Sequence, residues 1–245
     1  NWLFGRGASI ACNLGWVVPQ KFEALPREER SAEIKRSLSE EMAAESVDIR
    51  PYLQLLAMLE KQTADGWAHR FVTTNWDFLL QRTLLELEYK VCPQWLTNSH
   101  VVHLNGTIEQ LPDDSQRSHF VLETDEGDAR IPSHELDSAV AQMSWDFLFI
   151  VVGMSFECEG DKFLLRWLHS VEDDLPIGES TWLVLNPDQD TLDASCGRIK
   201  SALPRANILG ATETLGNWLE TSMPELAKLG VFSELTQSNA TKTEG

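Results

Sequence analysis

Along this chain, short apolar runs that stop at Gly, Asn or Thr alternate with longer segments of helical period. That alternation predicts βαβ units and a parallel sheet. The first run, Trp2-Leu3-Phe4-Gly5, passes directly into Gly7-Ala8-Ser9 and an apolar helix start that continues to Leu14. Residues 26–45 are charged and helix-forming, with Ile34, Leu38 and Met42 at four-residue spacing, so one stripe is buried and the rest solvated. A second helix is predicted over 51–62, with Pro51 in its first turn. Further strands are predicted at 69–73, 99–104, 147–152, 181–185 and 207–209, with a short one at 120–122. Helices are predicted at 76–87, 133–145, 161–170, 191–202 and 214–222. The run at 147–152 is almost wholly apolar, as expected of a central strand covered on both faces. No internal repeat interrupts this order.

The expected fold class is therefore α/β: a Rossmann-like parallel sheet with helices on both faces, forming a single domain over 1–233. A small helical insertion at 26–64 follows the first βα unit directly, which suits a lid or small cap. A second insertion, irregular and helical, covers 107–145. The tail at 234–245 is small and polar and is expected to be disordered. The chain opens one residue before its first strand, an abrupt start that leaves room for a preceding segment.

Composition narrows the partners more than the fold. At 245 residues, 42% hydrophobic and 24% charged, the chain falls in the ordinary soluble globular class. Its net charge is −18, with a pI near 4.6 and no basic run. That field disfavours DNA, RNA and anionic lipid, so neither direct nucleic-acid binding nor membrane association is expected. An anionic ligand would need local donors that outweigh it. The four cysteines, Cys12, Cys92, Cys158 and Cys196, are scattered with no paired spacing. They read as small buried residues in a reducing, cytoplasmic compartment, with no metal site. No signal-peptide pattern is read, and the longest apolar runs are too short to span a bilayer. The nine tryptophans do not discriminate between functions.

Ligands of open parallel sheets bind outside the carboxyl ends of the strands, and the polar residues of interest fall there. Gly5-Arg6-Gly7-Ala8-Ser9 lies between the first strand and helix. Two glycines let the backbone turn tightly and approach a pyrophosphate, with Ser9 as an added donor; a plain βα turn is the equal alternative. Thr73-Thr74-Asn75-Trp76-Asp77 stands where a strand gives way to a helix. Capping by Thr74 or Asn75 explains one polar residue there but not the cluster. In Val102-His103-Leu104-Asn105-Gly106, His103 and Asn105 share a face, although Asn-Gly is also an ordinary turn former. Gly153-Met154-Ser155 and Asn186-Pro187-Asp188 complete the set. Turn chemistry explains each one alone, but it does not require five along one edge.

In order and context from about Leu3 to Asp188, these segments resemble the Sir2 family. Its members carry a Gly-x-Gly-x-Ser phosphate loop, a Thr-x-Asn-x-Asp segment, a His-Gly at a strand end, a Gly-x-Ser and a later Asn. The wording Thr73-Thr74-Asn75-Trp76-Asp77 is most similar to bacterial Sir2-like proteins, many of which destroy NAD in anti-phage defence. The resemblance implies NAD as substrate or ligand. It sets Gly5, Gly7, Ala8 and Ser9 at the phosphates, with Arg6, a departure from the family's small residue, either reaching them and offsetting the acidic field or pointing into solvent. Ser155 and Asn186 fall at the phosphate and ribose portions, Asp188 near the adenosine, and Thr74 and Gly153 among the cofactor contacts. Asn75 and Asp77 would face the nicotinamide ribose, where the glycosidic bond breaks.

Two departures bear on activity. The family's cysteine-built zinc ribbon has no counterpart, which argues against a protein deacylase and against any metal. Asn105 stands at the family's catalytic His, and an amide cannot act as general base, a loss of about 10²–10⁴-fold in rate. His103, the other catalytic candidate, is set back roughly 6–7 Å along the strand. Two functions follow from the resemblance. One is an NAD glycohydrolase of impaired or altered chemistry. The other is a non-catalytic module that senses NAD or ADP-ribose and acts through a protein partner or as a homo-oligomer; a blander third option, a domain that keeps the fold and binds no nucleotide, has no need of the phosphate loop, Asn75 and Asp77.

Overall fold

The computed structural model describes residues 1–64, 70–86, 101–108, 141, 143, 145–170 and 179–222. Its strands are β1 (Trp2–Phe4), β2 (Phe71–Thr73), β3 (Val102–His103), β4 (Leu148–Val152), β5 (Thr181–Leu185) and β6 (Asn207–Ala211). They form one six-stranded sheet in the order β3-β2-β1-β4-β5-β6, and every pairing is parallel. The helices are α1 (Arg6–Ala11), α2 (Arg27–Met42), α3 (Arg50–Ala64), α4 (Leu79–Glu86), α5 (Glu159–Ser170), α6 (Gln189–Ala202) and α7 (Leu215–Asn217). A π-helical turn, Trp218–Ser222, extends α7.

Successive residues of a strand face opposite sides, and here each side has its own core. Trp2, Phe4, Phe71, Ile150 and Val152 pack with Ala8 and Cys12, with Ile34, Leu38 and Met42 of α2, and with Tyr52, Leu55, Leu56 and Leu59 of α3. Leu3, Val72, Phe149, Val151, Trp182 and Val184 pack with Leu164 and Leu168 of α5 and Leu192 and Ile199 of α6. Both faces are therefore covered, as the Rossmann-like reading expects. The stripe Ile34-Leu38-Met42 is buried as its spacing predicts. The insertion that carries it shares the core of β1 and β2.

Boundaries moved where side chains took over from the backbone ladder. The predicted helix at 76–87 begins at Leu79, where Asp77, outside the helix, accepts the Leu79 amide at 3.2 Å. Of the strand predicted at 99–104, the described residues Val102 and His103 are in the ladder, and Leu104 and Asn105 turn away. The helix predicted from 191 starts at Gln189, capped by Asp188. The last strand runs on to Ala211. The short strand at 120–122, most of the helix at 133–145 and of the second insertion, and the tail at 234–245 lie outside the described residues.

Candidate functional site

Strand order reverses between β1 and β4, and the crevice outside their carboxyl ends is where such sheets take ligands. Two loops meet there. The Gly5 amide donates to the Val152 carbonyl and the Gly7 amide to the Gly153 carbonyl, each at 2.9 Å. The Ala8 amide returns to the Gly5 carbonyl at 3.0 Å. A Cβ on Gly7 would stand 2.6 Å from the Gly153 Cα, and one on Gly5 would stand 2.4 Å from the Met154 Cα. Both glycines therefore serve a close approach of backbone to backbone. The expectation that these loop amides face a phosphate is met by amides already paired within the protein. The Arg6 side chain is exposed and has no partner among the described residues.

Beneath this loop lies a connected polar group. The Ser9 hydroxyl donates to Asp77 Oδ2 at 2.6 Å. Asn75 Nδ2 donates to Ser9 Oγ at 2.8 Å and to the Gly5 carbonyl at 2.9 Å. Ser9 thus ties the first loop to the second instead of pointing outward. Burial pushes the Asp77 carboxyl up, against the hydrogen bonds from Ser9 and the Leu79 amide. Burial also pushes the Cys12 thiol to about 12, with Asp77 and Asp48 adding to the shift. Tyr52 reaches the same region from α3, edge-on to Phe4 with ring centroids 5.9 Å apart. Burial raises its phenol well above the usual range, and the Ser9 hydroxyl opposes that shift. The sequence offered no signal for Tyr52 beyond a place on a buried helical stripe.

Asn105 is 7% exposed and donates from Nδ2 to the Thr74 carbonyl at 2.9 Å. Its Oδ1 is buried and has no hydrogen-bond partner among the described residues. A buried acceptor without a donor is destabilising unless a ligand or water supplies one. Asn75 Oδ1 likewise has no partner among the described residues. His103 Nδ1 lies 3.4 Å from the Asn75 carbonyl and Nε2 lies 3.1 Å from Gln81 Oε1. Both ring nitrogens of His103 therefore face polar atoms of the protein. Gln81 escaped the sequence reading because it sits one turn into α4, with no motif around it.

Across the switch point, Gly153 takes a positive φ of 59° that lets its loop meet Gly7. Ser155 Oγ accepts the Glu157 amide at 3.3 Å, and the Ser155 carbonyl accepts from Arg198 at 2.9 Å. Asn186 is buried, and its Oδ1 accepts the Asp188 amide at 3.0 Å, leaving Nδ2 available. Asp188 accepts the amide and hydroxyl of Thr191 at 2.8 and 2.6 Å, which lowers its carboxyl below the usual range. Asp188 is therefore a helix cap in this structure. The structure thus gathers Gly5, Gly7, Ala8, Ser9, Thr74, Asn75, Asp77, His103 and Asn105 into one network. Gly153 joins it through Gly7, with Ser155 and Asn186 on the neighbouring strand ends. Among the described residues no group of His, Cys, Asp or Glu is placed to hold a metal. Nor is any described helix long and apolar enough to cross a membrane.

His103 carries a pH prediction. Desolvation lowers it to about 4, against the Asn75 carbonyl, which raises it. Its folded value lies below the unfolded one of 6.5, so its contribution to stability is complete above pH 6.5 and is lost as pH falls through 4. The amount is at most about 3 kcal/mol. Asp77, raised on folding, works with the opposite sign. The contribution of His103 is read as the difference between wild-type and His103→Gln chemical denaturation from pH 7 to 4. Parallel curves would remove it.

No family model and no curated protein matches the chain. Solved structures do. One described as a Sir2 homolog in complex with NAD aligns at 15% identity and TM-score 0.53, covering 93% of this chain and 89% of that one. Another, from work on the mechanism and regulation of Sir2 enzymes, aligns at 15% identity and TM-score 0.55, covering 93% and 92%. A third, Sir2Tm bound to a propionylated peptide, aligns at 18% identity and TM-score 0.51, covering 91% of each chain. The all-parallel sheet, its strand order and this near-complete overlap agree: the chain has the Sir2-like, Rossmann-type α/β fold.

Proposed function

We propose that this protein binds NAD, or an ADP-ribose-like nucleotide, across the β1–β4 switch point. The observation that carries the reading is the buried Oδ1 of Asn105, which has no partner among the described residues and lies on the same sheet edge as Asn75. Neutral acceptors in a dry site suit ribose hydroxyls. The Ser155 hydroxyl, Asn186 Nδ2 and the Arg6 guanidinium are the donors left for phosphates on the other side. From β3 to β5 the strand ends span about 19 Å at a spacing of ~4.8 Å, which suits two nucleotides joined through a diphosphate. A solved structure of this fold is a Sir2 homolog–NAD complex, which supports the same ligand.

Hydrolysis would break the bond from ribose C1′ to nicotinamide, with the bond's electron pair leaving on nicotinamide, a water oxygen adding to C1′ and that water's proton passing to solvent. Asn75 Oδ1 would orient the ribose or that water, and Asp77 would face the electron-poor sugar. Nothing at position 105 accepts the proton, so turnover is expected to be about 10²–10⁴-fold below that of a site with a base. Asn105 thus favours a second reading, in which the site holds NAD or ADP-ribose as a signal and acts through a partner or a second copy. Destruction of cytoplasmic NAD in anti-phage defence belongs to the first reading alone. The insertion at 26–64 is proposed to cap the site, since its Tyr52 reaches the Ser9–Asp77 group.

Nicotinamide release and calorimetry with NAD and ADP-ribose test this directly. Wild-type protein is expected to bind both, and Asn75→Ala to weaken binding about tenfold or more, the size of one or two lost hydrogen bonds in a dry site. Absence of binding and of turnover in folded wild-type protein would overturn the proposal.

A further inference from the structure

At the end of β3 the ladder gives way to side chains. Its last bond of ordinary kind runs from the Leu104 amide to the Thr73 carbonyl at 2.8 Å, and the Gly106 amide then turns back to the His103 carbonyl at 3.2 Å. The next three carbonyls of the β2 loop are met by alternate residues from 103 to 107. Asn105 Nδ2 donates to the Thr74 carbonyl at 2.9 Å, and His103 Nδ1 lies 3.4 Å from the Asn75 carbonyl. Thr107 Oγ1 donates to the Trp76 carbonyl at 3.0 Å, where the Ile108 amide joins it at the same distance. Carbonyls that leave a sheet in a buried place need such donors. The Asn75 carbonyl can only accept, so a neutral His103 that braces it carries its hydrogen on Nδ1, and its Nε2 then accepts from Gln81 with that amide turned so that its nitrogen replaces the Oε1 now 3.1 Å away.

We infer that His103, Asn105 and Thr107 form a brace on the Thr74–Asn75–Trp76 backbone, and that His103 and Thr107 are positioning residues for Asn75. Asn105 is the middle prong and presents its free Oδ1 to the ligand. The strand end that lacks a base thereby fixes the neighbouring loop. That Asn75 meets a ligand rests on the proposed function; the brace rests on the distances alone.

The full-length chain tests the brace by hydrogen exchange at residues 74–78 and by ADP-ribose calorimetry. Thr107→Val keeps the shape and removes the hydroxyl, Thr107→Ser restores it, and His103→Leu removes the second prong. Exchange at 74–78 is expected to rise about tenfold in Thr107→Val and in His103→Leu, with β4 and β5 unchanged. ADP-ribose affinity is expected to fall by a similar factor, and Thr107→Ser to recover both. Unchanged exchange in Thr107→Val, or a Thr107→Ser that behaves like Val, overturns the brace. If His103→Leu loosens β4 and β5 as well, Thr107→Val decides. If wild-type protein binds no ADP-ribose, the ligand reading fails and the exchange result still decides the brace.

Discussion

Asn105→His is expected to raise nicotinamide release from NAD by about 10²–10⁴-fold over wild type, the range for gaining a positioned general base. The pocket is already shaped to orient the ring. Asn105 Nδ2 donates to the Thr74 carbonyl at 2.9 Å, and an imidazole Nδ1–H placed there would keep that bond. The carbonyl then selects the tautomer, with Cδ2 falling where the partnerless Oδ1 now lies and an unprotonated Nε2 one bond beyond it. The ring is larger than the amide and the site is nearly closed, so overpacking is expected to lower stability by about 1–3 kcal/mol. Rates must therefore be compared per folded molecule. Asn105→Gln is the control, because it adds length but no useful pKa and should gain nothing. An Asn105→His protein that binds NAD and releases nicotinamide no faster than wild type would show that position 105 is not where the base is missing.

Much of the fold was legible because its signals are local. Trp2 and Phe4 alternate with Leu3, and two cores receive them. The Gly, Asn and Thr residues that stop each apolar run also mark the strand ends, so the edge carrying the site could be read from punctuation. The roles within that edge were not legible, because they depend on what arrives from elsewhere. Gly5 and Gly7 read as openings for a pyrophosphate, yet the chain that crowds them is the loop after β4. Ser9 read as a free donor, but Asp77 takes its hydrogen. Asp188 read as an adenosine contact and is used by its own helix, a bond that the Asp-x-x-Thr spacing does suggest. His103 read as sharing a face with Asn105, and both reach carbonyls of the β2 loop, while Gln81, which faces its second nitrogen, comes from α4 with no local signal. Spacing locates side chains; their partners come from the packing.

Gly153→Ala is expected to lower stability by roughly 4 kcal/mol or more, the largest effect of any single methyl described here. Gly153 has φ of 59°, and a Cβ there would lie 2.4 Å from the Gly7 Cα, 2.6 Å from the Gly7 carbonyl carbon and 2.7 Å from the Ala8 nitrogen. All three are backbone atoms, so no rotamer change relieves the clash. The left-handed conformation adds about 1–2 kcal/mol for a residue with a Cβ. Separating the loops would also break the Gly7 amide bond to the Gly153 carbonyl. Together these amount to roughly 4 kcal/mol or more, against a typical total of about 5–15. Gly197→Ala is the matched control: nothing lies within 4 Å of its Cβ, and its place in α6 predicts a gain of about 0.5–1 kcal/mol. Urea denaturation of the two variants measures both signs. The same contact makes Gly7→Val a test of folding instead of a test of phosphate binding, so exposed Arg6 is the residue to change when binding is the question. A Gly153→Ala protein as stable as wild type would mean that the β1 and β4 loops do not touch, and with that contact would go the crevice on which the ligand reading depends.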